Sequence, residues 1–187
     1  MTKRALIIID LQKDYFPGGR WTLDGADEAV SKAATVLEDA RRAGDLVVHV
    51  RHEFARDDAP FFAPGSPGAE IHPSVAPAAG ETVVLKHNVN AFKDTNLKDV
   101  LDKHGVTDVT IVGAMSHMCI DAGARAASDF GYGVTVVEDA CATRDLEFGD
   151  KTIASPEVHA AYMSSLGFAY ANVVKAGDYL DARAPAA

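Results

Sequence analysis

Two cysteines, Cys119 and Cys141, stand in 187 residues, too few for a disulfide framework. Free thiols in a reducing cytoplasm are the expectation. Positive charge is also scarce: 18 Lys and Arg face 27 Asp and Glu, a formal net charge of −9. A nucleic-acid-binding face needs the opposite surplus, so no nucleic-acid partner is expected. No apolar run approaches the ~20 residues of a membrane span, which argues against a membrane partner. The first apolar run, Ala5 to Ile9, breaks at Asp10. That is too soon for the h-region of a signal peptide. What remains is a chain 48% hydrophobic, long enough to bury a full core and short for two. Residues 1–187 are read as a single domain.

Apolar runs rich in Ile and Val recur at 5–9, 46–50, 82–85, 109–113, 134–137 and 171–174. Most are continuous rather than alternating, as in strands buried on both faces. Helical patterns fall between them at 26–43, 96–104, 118–130 and 156–167. Gly44, Gly105 and Gly131 follow three of these as stops, and Ser155-Pro156 opens the fourth. The alternation predicts a three-layer α/β/α fold, Rossmann-like, with a mainly parallel six-stranded sheet and helices on both faces. Ligands in such sheets bind outside the carboxyl ends of the strands. Residues 53–81 break the pattern with five prolines, from Pro60 to Pro77. Phe54, Phe61, Phe62, Ile71 and Val75 make this an ordered loop and one wall of the site. Residues 181–187 are read as a loose tail.

Three ionisable residues end apolar runs or lie just beyond them. Asp10 follows Ile9, Lys86 follows Leu85, and Cys119 follows Val109–Val112 and a short loop. In a parallel sheet they gather at one edge. A thiol at a helix N-terminus meets unpaired N–H groups and the positive end of the dipole. Both favour the thiolate, which is the nucleophile. Cys141 lacks that context and reads as a packing residue.

These residues lie in blocks that match a known family. They are Ile7-Ile-Ile-Asp10-Leu-Gln-Lys-Asp-Tyr-Phe16, Pro64-Gly-Ser-Pro-Gly-Ala-Glu-Ile-His-Pro73 and Val84-Leu-Lys86-His-Asn-Val-Asn-Ala-Phe92. Gly113-Ala-Met-Ser-His-Met-Cys119 and Gly131-Tyr-Gly-Val-Thr-Val-Val-Glu-Asp-Ala140 complete the series. In this order the chain resembles the isochorismatase-like cysteine hydrolases, relatives of nicotinamidase and N-carbamoylsarcosine amidase, over nearly its whole length. The resemblance implies a catalytic triad of Asp10, Lys86 and Cys119. It implies an oxyanion hole from the backbone N–H groups of Met115 and Cys119, and a cis peptide at Ala114–Met115. It implies hydrolysis of a small amide or ureido compound through a thioester, without cofactor, and a homodimer or larger homo-oligomer. The nicotinamidase branch holds a metal with Asp-x-His after its second strand. Here His52 and Phe54 take those places, and Phe61 that of a further histidine, so no metal is expected. Ser116 replaces a common threonine, and Asn90 a common serine.

Phe16, Trp21, His52, Asn90, Phe92, Ser116 and His117 are the candidates for the substrate pocket, with His72 near it. Two other readings stay open. One is the vinyl-ether hydrolysis of isochorismatase itself, which does not need a cysteine at this position. The other is a non-catalytic binding protein whose exposed thiol senses redox state.

Overall fold

The computed structural model describes residues 3–56 and 58–184. The chain runs β1 (Arg4–Ile9), α1 (Ala26–Ala43), β2 (Leu46–His52), β3 (Thr82–Lys86), α2 (Leu97–Lys103), β4 (Asp108–Ala114) and α3 (Asp121–Asp129). It continues through β5 (Gly133–Ala142), β6 (Leu146–Phe148), β7 (Lys151–Ile153), α4 (Ser155–Ala169), β8 (Asn172–Val174) and α5 (Ala176–Asp181). Six strands form one parallel sheet in the order β3-β2-β1-β4-β5-β8. All six apolar runs of the sequence are its strands.

The two-sided burial expected of those runs is visible in β1. Leu6 and Ile8 pack with Val30, Val36 and Leu37 of α1, while Ala5, Ile7 and Ile9 face Leu101 of α2, Ala124 of α3 and Leu166 of α4. Neither face of this strand has water to meet, so no polar residue interrupts it. The helix over 26–43 has the bounds expected, ending at Gly44 in the left-handed region that lets the chain turn without a Cβ clash.

The strand order reverses between β1 and β4. This is the switch point where an α/β sheet leaves a crevice. Two glycines hold the chain there. A Cβ on Gly113 would run into the Ile9 carbonyl, and one on Gly68 into the Asp14 carboxylate. Beyond Ile111 the register of β4 against β5 shifts: Ile111 pairs with Val136, and Gly113 with Cys141. β5 therefore carries extra residues past a bulge, and its end reaches the loop after β4.

Residues 53–81 form two short 3₁₀ turns, Pro67–Ala69 and Pro73–Val75, within an otherwise irregular loop. Buried side chains tie the loop to the segment after β1. Gln12 donates to the carbonyls of His52 and Ala69, each at 2.8 Å, and accepts from the His52 N–H at 2.7 Å. Asp14 accepts from the Phe62 N–H at 2.7 Å. The far end of the loop is held by Glu81. It receives a two-pronged bond from Arg41 at 2.8 Å, the Ala78 N–H at 2.7 Å, and His49 at 2.9 Å.

Two readings need correction, and two elements give no signal in the sequence. The pattern at 118–130 is not one α-helix. It opens as a π-type turn, Ser116–Ile120, and becomes α-helical at Asp121. The hairpin of β6 and β7 carries no long apolar run and escapes periodicity. Helix α5, only six residues long, was likewise unread. Asp181 ends that helix rather than starting a tail, and Arg183 bonds Asp39 and Asp45. That buried ion-pair cluster docks the chain end through residue 184, and residues 185–187 lie outside the described ones.

Hydrogen bonds from Arg41, chiefly, hold the Glu81 carboxyl down at about 2, with the Ala78 N–H and His49 adding to this against a smaller opposing effect of burial. A depressed folded-state value means that this stabilisation is present above the ordinary carboxylate range. It is lost as pH falls from about 4.5 towards 2. Glu81→Gln is expected to cost about 1–3 kcal/mol at pH 7. The gap to wild type should narrow at pH 3, as read by urea denaturation at both pH values.

Candidate active site

Lys86 ends β3, the edge strand, and lies in register opposite His52 at the end of β2. Its side chain crosses beneath that histidine to reach β1. The ammonium is wholly buried and has three hydrogens to place. Three acceptors take them: His52 Nδ1 at 2.9 Å, the Asn88 carbonyl at 3.1 Å and Cys119 Sγ at 3.2 Å. Asp10 Oδ2 is also close, at 2.8 Å. That contact is the cation's ion pair, and the Asp10 carboxylate also neighbours the Cys119 thiol. Asp10 is set there by a left-handed backbone, φ 54°, which is sparsely populated for a non-glycine residue.

Cys119 sits in the π-type turn after β4, and the Ala114–Met115 peptide before that turn is cis. Met118 and Ile120 both donate their N–H groups to the Met115 carbonyl, at 3.0 and 3.2 Å. Of the three residues, Cys119 alone has any exposure, at 5%.

Burial governs the electrostatics. It pushes the Cys119 thiol up, and the Asp10 charge pushes it further, against the opposing pull of Lys86. Burial likewise raises Asp10, with Lys86 opposing. Burial alone would lower Lys86, but the charges of Asp10 and Cys119 outweigh it and keep the ammonium charged. His52 is pushed down to about 3 by burial and then by Lys86. It is neutral, with Nδ1 accepting and the proton on Nε2, which is buried without a partner. Burial and the neighbouring carboxylate thus oppose the thiolate expected from a helix N-terminus, the sulfur lying two residues ahead of α3.

The other candidates distribute unevenly. Ser116 and His117 lie on the turn that carries Cys119. Ser116 is fully buried against His159, and His117 bonds Thr143 Oγ1 at 2.6 Å. Asn90 accepts from the Phe92 N–H at 2.9 Å, shaping the turn after β3, and Phe92 packs in the same core cluster as Cys119. Phe16 instead stacks on His72 at 4.1 Å and lines a cavity of about 570 Å³ whose walls hold no triad residue. Trp21 stacks on Phe61 at 4.8 Å, and the Arg144 guanidinium lies over its ring at 4.3 Å. The positions of the nicotinamidase metal ligands are filled by His52, committed to Lys86, and by Phe54 and Phe61, packed edge-to-face at 5.1 Å. Among the described residues no three His, Cys, Asp or Glu side chains converge as a metal-holding group. Cys141 donates to the Val137 carbonyl of its own strand at 3.3 Å, and burial pushes its thiol up to about 12. Periodicity offered no signal for Gln12, His159 or Arg144, whose neighbours come from distant segments.

Residues 4–166 match the isochorismatase domain family. The chain belongs to the isochorismatase family of hydrolases. This isochorismatase-family chain is 45% identical to YddQ of Bacillus subtilis, an uncharacterised member, over 90% of this chain and 94% of that one. Its identity to the maleamate amidohydrolase of Pseudomonas putida is 34%, covering 76% of this chain and 73% of the relative. A solved structure from Oleispira antarctica, assigned to the isochorismatase hydrolases, superposes with a TM-score of 0.93 at 54% identity. That match covers 96% of this chain and 97% of the other. Among the described residues no helix is long and apolar enough to cross a membrane.

Iodoacetamide alkylation of Cys119 against pH reads the electrostatics directly. Wild type is expected to show a midpoint above the ordinary thiol value of about 8.5. Asp10→Asn should move it down, by removing a negative charge, and Lys86→Met should move it up. A wild-type midpoint below the ordinary value, indifferent to both changes, would contradict the geometry.

Proposed function

We propose that this chain is a metal-independent cysteine amidohydrolase that cleaves a small amide or ureido compound. The observation that carries the proposal is the convergence of three side chains from separate strand ends. Lys86 Nζ lies 2.8 Å from Asp10 Oδ2 and 3.2 Å from Cys119 Sγ, and the Asp10 carboxylate neighbours the Cys119 thiol. Asp10 takes the thiol proton as sulfur attacks the substrate carbonyl. The N–H groups of Met115 and Cys119 receive the oxyanion, and such donors are worth ~3–4 kcal/mol each. Asp10 returns the proton to the leaving nitrogen, which departs as ammonia or amine. Asp10 then activates water, the thioester is cleaved, and the thiol is restored. Lys86 keeps its charge throughout and compensates whichever of Asp10 or Cys119 is anionic. His52 holds the lysine by accepting from it at Nδ1.

Arg144 narrows the substrate. Its guanidinium lies over Trp21, and among the described residues it has no carboxylate partner, its hydrogen bond going to the Asp145 carbonyl. Its charge acts on His117, two residues from the nucleophile. Trp21 Nε1 beside it is a buried donor without an acceptor. A carboxylate on the substrate satisfies both groups, and maleamate, the substrate named for the Pseudomonas putida relative, is an amide of that kind. Vinyl-ether hydrolysis makes no use of a thiol placed beside a carboxylate and a buried cation. Residues 1–187 act in this reading as one cytoplasmic domain. Exposed Phe148 and Phe168, 80% and 91% accessible, support assembly into a homodimer or larger oligomer.

An ammonia-release screen over neutral and carboxylate-bearing amides tests the reaction. Cys119→Ala, Asp10→Asn and Lys86→Ala should each lower turnover by at least about 10³-fold. Mass spectrometry under turnover should find an acyl group on Cys119. Full activity in Cys119→Ala would sink the reading. Arg144→Ala should raise KM about 10- to 100-fold for carboxylate-bearing substrates and leave neutral amides nearly unchanged.

A further inference from the structure

We propose that His159, on α4, is a positioning residue for the turn that carries the nucleophile. It acts through Ser116, and the inference rests on Cys119 being the reactive group. Ser116 opens the turn and is fully buried. Its Oγ lies 2.9 Å from His159 Nδ1 and 3.3 Å from the Ala142 carbonyl. The other ring nitrogen, Nε2, lies 3.1 Å from Glu138 Oε2. A chain of contacts thus runs from Glu138 through His159 and Ser116 to Ala142. Its two ends stand on β5, its middle on α4, and the serine on the nucleophile's turn.

The hydrogen count shows how tightly this chain is determined. A serine hydroxyl has one hydrogen, and an imidazole has one or two. With both ring nitrogens protonated, Nε2 donates to Glu138 and Nδ1 to Ser116, and the hydroxyl hydrogen is left for Ala142. All three contacts are then satisfied. With one ring hydrogen, on Nε2, the hydroxyl must turn to Nδ1 and the Ala142 carbonyl loses its donor. Ala142 pairs with Ala114, the residue before the cis peptide. A hydrogen on Nδ1 therefore leaves Ser116 free to clamp to the strand beside its own turn, whatever Nε2 carries.

The array has the residue types of a serine hydrolase, but it is not a second reactive site. Ser116 has no exposure, so no substrate reaches its hydroxyl. His159 and Glu138 do open on a cavity of about 350 Å³, where Asp24, Glu28 and Asp139 also face. Lys175 and Asp178 face them from the opposite side. The relay thus joins a solvent-accessible face to a buried turn. A small misplacement of a nucleophile is costly, because reacting atoms must meet at near-contact distance.

Two nearly isosteric substitutions separate the proposal from a packing role. In His159→Asn the amide occupies the place of Nδ1 and keeps the Ser116 contact. In His159→Gln it occupies the place of Nε2 and keeps only Glu138. The readouts are the rate of Cys119 alkylation by iodoacetamide and, on any amide the chain hydrolyses, kcat and KM. Ser116→Ala and His159→Ala are each expected to slow alkylation and kcat about tenfold or more with KM unchanged. The double variant should fall no further than either single one. Asn should retain near-wild-type rates and Gln should behave like Ala. Should His159→Ala fail to fold, the Asn and Gln pair carries the test alone. Equal rates for Asn and Gln, a Gln variant better than Asn, or losses that multiply in the double variant would overturn the proposal. Alkylation needs no substrate, so a chain that hydrolyses no amide yet ranks Asn above Gln overturns the amidohydrolase reading and leaves this one standing.

Discussion

A buried ammonium is the constraint around which this molecule is arranged. Removing a lysine cation from water costs several kcal/mol unless every hydrogen finds an acceptor and a counter-charge stands near. Lys86 meets the condition with acceptors from three places: the end of β2, the loop after β3, and the turn after β4. Asp10, at the end of β1, supplies the charge. The carboxyl ends of four parallel strands must therefore come together for the cation to be tolerated. The same convergence places an acid beside a thiol. The group that is costly to bury for stability is thus the one that makes the site chemically useful.

Lys86 also sets the electrostatics of the site. Its ammonium touches both Asp10 and Cys119, so one cation serves two groups. Burial and the Asp10 charge push the Cys119 thiol up against the pull of that cation. The thiol is nearly closed to solvent, at 5% exposure, whereas a redox-sensing thiol is accessible.

Around this centre the fold supplies two kinds of support. The irregular segment 53–81 is pinned by Gln12, Asp14 and Glu81, side chains that bond mostly to backbone, so that a loop with little regular structure still presents fixed walls. On the other flank, the bulge in β5 carries its last residues past the plane of β4. That extra reach brings Ala142 and Thr143 against Ser116 and His117. The turn that carries Cys119 is held by polar contacts, which have defined directions, and not by apolar packing alone.

The strands, the four longer helices and the order in which they alternate follow from the sequence alone. Each is set by local periodicity, and a continuous apolar run has few ways to be buried other than inside a parallel sheet. Asp10, Lys86 and Cys119 were legible for the same reason: they end those runs, and strand ends in such a sheet share one edge. Only the tertiary structure decided what these residues do to one another. That His52 serves Lys86 depends on the register of β2 against β3. That Ser116 meets His159 depends on a bulge and on where α4 packs. The hairpin of β6 and β7 and the docking of Arg183 were hidden because they rest on few residues and distant partners. That burial and Asp10 push the Cys119 thiol up, against the effect of a helix start, depends on neighbours from other strands. Local pattern carries the elements, whereas charge and hydrogen bonding depend on distances that exist only once the chain has folded.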